Sequence, residues 1–253
     1  MIVFFYDKTF GGLLSALFDA YTLKRFPALL LGEGEIPPLH AQINHTVSST
    51  EEKAERVFRA VRNKLDRAAL KAVKYAWFSE STGSDTLIFR LLRKALESPR
   101  VLPLNYGDSD TRAIMRLSRQ VSCEKEKMMG FLRFQETAQG IYCATMAPRY
   151  NILPLLIPHC RNRFSDQQWI IHDVPRGFGF YFTGETILPV TLEKSSLPGG
   201  RLDEALLTEK EKSFSALWKE YYKALAIKER SNPRLQRRCM PKRFWTYLPE
   251  KQG

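Results

Sequence analysis

His159, His172 and Asp173 are the side chains best suited to acid–base work, because imidazole and carboxylate exchange protons near neutral pH. On one strand His172 and Asp173 would point to opposite faces, so adjacency does not make them a dyad. His159 would have to approach either one through the fold. No nucleophile-elbow motif supports Ser–His–Asp or Cys–His catalysis. Neither a P-loop nor a dinucleotide fingerprint occurs. A metal-dependent nuclease would cluster carboxylates, whereas Asp166, Asp173 and Glu185 are scattered. Cys123, Cys143, Cys160 and Cys239 never fall at C-x₂-C spacing, so neither a metal-ligand set nor a cofactor is expected.

Positive charge is the stronger signal. The 253 residues carry 39 Lys and Arg against 27 Asp and Glu, a net +12, which favours a polyanionic partner. The segment 223–243 concentrates it. Lys223, Lys228, Arg230, Arg234, Arg237, Arg238, Lys242 and Arg243 face a single acid, Glu229, and Phe244, Trp245 and Tyr247 follow at once. Cations bind phosphates by releasing counterions. Aromatic faces stack on exposed bases at roughly 1–3 kcal/mol each, although the same rings could instead anchor the segment to a core. Arg112, Arg116 and Arg119 lie four and three apart and share one side of a helix. Arg90, Arg93 and Lys94 mark the polar face of the helix before it. Arg133, Arg163 and Arg176 could neutralise a phosphate from the sheet region. The expectation is spatial: these cations should gather on one concave track.

The elements that must position them read as α+β. MIVFFYD is a buried strand, and Thr9 caps a helix whose apolar face is Phe10, Leu13, Leu14, Leu17, Phe18 and Tyr21. Residues 32–47 read as a loop. Ser48 and Ser49, each three before a glutamate, open a long helix running to about Phe78. Two further helices follow, the second starting near Asp108 or Ser109. Residues 129–192 read as a mostly antiparallel sheet in the order β-β-α-β-β-β. GFLRF and GIYCATM form its first hairpin, a helix starts near Pro154 or Pro158, and WIIHD, GFGFYF and TILPVTL are the last strands. Thr208 caps a helix with Phe214, Leu217, Trp218, Tyr221 and Leu225 on one face. The expected organisation is a single domain, 1–253: a helical N-terminal region over 1–128, a sheet-rich core over 129–192, and a C-terminal helix with basic tail over 203–253.

Four segments together resemble a bacterial family of DNA metabolism proteins: FYDKTFGGLLSALFDAY, MGFLRFQET, APRYNILPLLIPHCRNRFSDQQWIIHD and IKERSNPRLQRRCMPKRFWTYLPE. Members of that family are encoded beside a radical-SAM protein of DNA repair or modification, and some relatives are fused to a uracil-DNA glycosylase-like domain. The resemblance implies a DNA-repair context and a radical-SAM partner. It carries over no catalytic residue. The chain has no C-x₃-C-x₂-C run of its own.

The leading expectation is therefore a DNA-binding accessory protein. Its alternatives are a nucleic-acid-processing enzyme using His159 or His172, and a docking adaptor that makes no DNA contact. Free, isolated thiols suit a reducing compartment. No basic n-region precedes the apolar start, and no apolar run approaches the roughly 20 residues that span a bilayer. A cytoplasmic protein without membrane contact is expected.

Overall fold

The computed structural model describes residues 1–101 and 105–252, without the side chains of Lys194 and Lys228. The chain forms two compact units, Met1–Ser122 and Cys123–Gly253.

Unit 1 begins with β1 (Ile2–Tyr6), whose residues Val3, Phe4 and Tyr6 are fully buried. It feeds α1 (Phe10–Thr22) through the expected cap, where Thr9 Oγ1 accepts from the Gly12 amide at 2.8 Å. Two unforeseen strands flank β1: β2 (Leu29–Gly32), ending where the expected loop begins, and β3 (Ile43–Thr46), inside it, both parallel to β1 in the order β2-β1-β3. The helix expected to run unbroken to Phe78 is two helices, α2 (Glu51–Lys64) and α3 (Arg67–Trp77). Leu65 turns extended, and Asp66 Oδ1 accepts from the Ala69 amide at 2.7 Å, so the aspartate starts a new helix instead of continuing the old one. Thr50 is the cap of α2, displacing Ser48 and Ser49 from that role. α4 (Ser84–Glu97) completes a core of Phe4, Leu13, Leu17, Val61, Ile88 and Leu92.

α5 (Ser109–Phe131) starts where expected but outlasts the sequence reading. Its stripe of Ile114, Leu117, Val121 and Met128 keeps helical spacing, so Met129–Phe131 stay helical and not extended. The first strand of the unit 2 sheet shrinks to β4 (Gln135–Glu136). It pairs with β5 (Tyr142–Met146), and α6 (Leu153–Arg163) leads to β6 (Trp169–Asp173), β7 (Phe178–Phe182) and β8 (Ile187–Val190). The sheet order is β4-β5-β6-β7-β8. The fold class is α+β, but this sheet is mixed, not uniformly antiparallel: β5 and β6 run parallel. A helical crossover such as α6 returns the chain to the same end of the sheet, which makes the next strand parallel.

Trp169, Ile171 and Phe182 lie in the unit 2 core, with the Trp169 and Phe182 rings 5.2 Å apart. Gly179 on β7 faces His172 across the ladder, and a Cβ there would stand 2.6 Å from the Ile171 carbonyl oxygen. Beyond the sheet come α7 (Glu209–Ala224) and α8 (Pro233–Cys239).

Candidate nucleic-acid interface

The basic tail is built around α8. Asn232 Oδ1 accepts from the Leu235 amide at 2.9 Å and Pro233 occupies the first helical position, so the turn begins sharply. Arg234, Arg237 and Arg238 are exposed, and no carboxylate among the described residues pairs with them. Arg230 is also exposed, as is Lys242, whose amino group lies 6.0 Å above the Trp245 ring. Arg243 is committed elsewhere, to the buried carboxylate of Glu124. The Lys228 side chain lies outside the described residues. The tail aromatics point inward: Phe244 is buried, and the Trp245 indole donates to the Met240 carbonyl at 3.0 Å. Tyr247 is half-buried, and burial together with nearby Asp173 raises its pKa.

α7 carries its apolar face outward. It has no buried residue. Phe214, Leu217, Trp218, Tyr221 and Leu225 are 39–64% exposed, while Glu211, Ser215, Lys219 and Tyr222 form the sheltered side. Polar bonds hold that side. Glu211 accepts from the Glu136 amide at 3.2 Å and from Ser215 at 3.1 Å, and Gln236 of α8 donates to the Tyr222 hydroxyl at 3.1 Å. Lys251 lies 4.6 Å from the Tyr222 ring centre. The outer face is thus a continuous apolar and aromatic stripe.

Arg133 sits at the root of this helix. Its guanidinium donates to Glu250 Oε1 at 2.8 Å and to the Gly130 carbonyl at 2.9 Å, and lies 5.8 Å from the Trp218 ring centre. Trp218 donates its indole N–H to the other Glu250 oxygen at 3.0 Å. Burial pushes the Glu250 pKa up, but the Arg133, backbone and Trp218 bonds outweigh it and hold the carboxyl below the usual glutamate range. Arg133, Gln135, Arg201, Lys219, Tyr247 and Gln252 line a cavity of about 550 Å³.

The remaining candidates in unit 2 differ in access, and Arg163 is exposed at the end of α6. Arg176 donates to the fully buried Asp173 at 3.1 Å and to the carbonyls of Pro148 and Arg149, which ties a turn to the sheet. His172 is 2% exposed, and neither ring nitrogen reaches a hydrogen-bond partner. Burial lowers its pKa against a weaker opposing effect of the Gly177 backbone. His159 is half-buried on α6. Sequence position therefore brings His172 and Asp173 together without giving them a common reactive surface.

In unit 1 the two basic helices differ. Arg90 pairs with Asp110, Arg93 with Glu97, and Lys94 with Asp108 and Asp110. The Lys94 amino group and the Thr111 amide and hydroxyl hold the Asp108 pKa down at about 2. Arg112, Arg116 and Arg119 are exposed, with no ion pair among the described residues. Sequence reasoning missed Asp85, a nearly buried carboxylate that accepts from the Tyr6 hydroxyl at 3.0 Å and from Lys8 at 2.8 Å. It also missed Asp19, which holds His45 and Lys53, each at 2.9 Å. Nothing in the spacing of these residues announces either cluster.

Among the described residues no helix is long and apolar enough to cross a membrane, and no group of His, Cys, Asp and Glu is arranged to hold a metal ion. A family described as a domain of unknown function (DUF4130) matches residues 82–250. That span includes the MGFLRFQET, APRYNILPLLIPHCRNRFSDQQWIIHD and tail segments, and excludes the N-terminal FYDKTFGGLLSALFDAY. No curated protein and no solved structure matches the chain.

Proposed function

The chain belongs to the DUF4130 family, and on that premise we propose that it is a DNA-binding accessory protein acting beside a radical-SAM enzyme in DNA repair or modification. The observation that carries DNA binding is the trio Arg234, Arg237 and Arg238: exposed, on one short capped helix, and unpaired by carboxylates among the described residues. Exposed guanidinium groups without a carboxylate partner are the ones able to take phosphate oxygens, and each phosphate neutralised releases counterions. The partner and the repair context rest on the family resemblance. An enzymatic role for His172 gains no support, since the ring is sealed from solvent.

The test is binding of the purified chain to single- and double-stranded DNA across a salt series. Affinity that falls linearly with log salt concentration supports the reading. No affinity at low salt, or affinity indifferent to salt, overturns it.

A further inference from the structure

We infer that the outer face of α7 is a stacking platform for single-stranded nucleic acid, an inference that rests on the DNA-binding reading above and adds the strand state. A soluble helix normally buries its apolar stripe. In α7 the sheltered side is polar, while Phe214, Leu217, Trp218, Tyr221 and Leu225 face solvent and Ile227 continues the exposure just past the helix. Such a patch marks a surface that is covered in use.

Charge and ring placement decide what covers it. Phe214, Trp218 and Tyr221 follow at i, i+4 and i+7, so the rings lie in a row along the helix. The Trp218 and Tyr221 ring centres are 5.7 Å apart and tilted by 34°. Cations border the row: Lys210 lies 5.8 Å from the Phe214 ring centre and Arg133 5.8 Å from that of Trp218. Nearby acids are spent. Glu209 and Glu220 pair with Lys212 and Lys223, Glu211 turns to the sheltered side, and Glu250 is 1% exposed against Arg133. α8 bonds the sheltered side of α7 through Gln236 and Tyr222, so the charge bordering the rings comes from Lys210 and Arg133. Aromatic rings for bases beside cations for a backbone form the arrangement that binds single strands without reading sequence. A duplex keeps its base faces stacked inside and offers nothing to these rings.

The experiment measures binding of the full chain to an unstructured oligothymidylate and to a blunt mixed-sequence duplex at fixed low salt, for the parent and for Phe214→Ala/Tyr221→Ala. Both side chains are largely outside the packed surface, and a thermal melt verifies that the fold is kept. Tyr221→Phe, which keeps the ring, serves as the conservative variant. The expected result is single-strand affinity weaker by about 30-fold or more in the double Ala variant, which loses two rings, near-parental affinity in Tyr221→Phe, and unchanged duplex affinity. Parental single-strand affinity in the double Ala variant overturns the platform while leaving DNA binding by the arginines intact. Absence of binding to either probe by the parent overturns both readings. If the double Ala variant instead abolishes self-association in sedimentation and keeps its single-strand affinity, the stripe is a protein interface and the inference fails.

Discussion

Trp218 and Glu250, 32 residues apart in the chain, are joined by an indole N–H donated to a carboxylate oxygen at 3.0 Å, while the other carboxylate oxygen holds Arg133 at 2.8 Å. One carboxylate thus secures both α7 and the start of the sheet region. Glu250→Gln keeps the shape and removes the charge, and should destabilise unit 2 by about 1–3 kcal/mol in chemical denaturation. Loss of stability should be accompanied by a shift in Trp218 emission. The folded Glu250 pKa lies below 4.5, so this group's contribution is fully present above about pH 4.5 and is lost as pH falls through the folded value. The variant should flatten that region of an acid-stability profile.

Replacing Arg234, Arg237 and Arg238 together by Gln should weaken DNA binding for all sequences alike and lower the salt slope by about 0.7–0.9 for each phosphate no longer neutralised. A salt titration by fluorescence anisotropy reads both. The fold should be unaffected, because the three side chains are exposed.

The four thiols should divide into two pairs. Cys123 and Cys239 are exposed, whereas Cys143 and Cys160 are buried with pKa values pushed up to about 12. A thiolate reagent at neutral pH should modify Cys123 and Cys239 rapidly and reach the other two only on unfolding. Peptide mapping by mass spectrometry checks the assignment.

His172→Leu should leave stability within about 1 kcal/mol of the parent, or raise it, because it removes two buried nitrogens that have no hydrogen-bond partner. The sign of its pH effect is fixed by burial. A histidine whose folded pKa lies below its unfolded value costs stability as pH falls below about 6.5, and the Leu variant should lose that slope.

Gly179→Ala should destabilise unit 2 by about 1–3 kcal/mol, since the new methyl meets the Ile171 carbonyl in a central strand pair. Thermal unfolding measures it directly.

Much of the scaffold was readable from residue patterns, for reasons local to each element. β1, the Thr9 cap and α1 announce themselves by a short apolar run, a capping side chain and a helical period, all within a few residues. The strands β6 to β8 likewise show as short apolar runs, and α6 is marked by the proline in its first turn. β2 and β3 escaped because each is four residues long and owes its place to main-chain pairing with β1. The parallel step between β5 and β6 follows from the intervening helix, which pairing preferences do not encode. For α7 the period identified the apolar face correctly, but period alone does not say whether that face looks inward. The Arg133–Glu250 pair spans 117 residues, beyond any local signal.

A helix retained through side-chain hydrogen bonds and one carboxylate clamp, with no fully buried residue, can detach while the sheet stays intact. Its amides should then exchange with deuterium by local opening, well before those of β6, whose free energy of opening approaches that of global unfolding. Whatever settles on the Trp218 face would slow that exchange. α7 therefore carries its own label-free gauge of occupancy, legible even when the ligand has no spectroscopic signal.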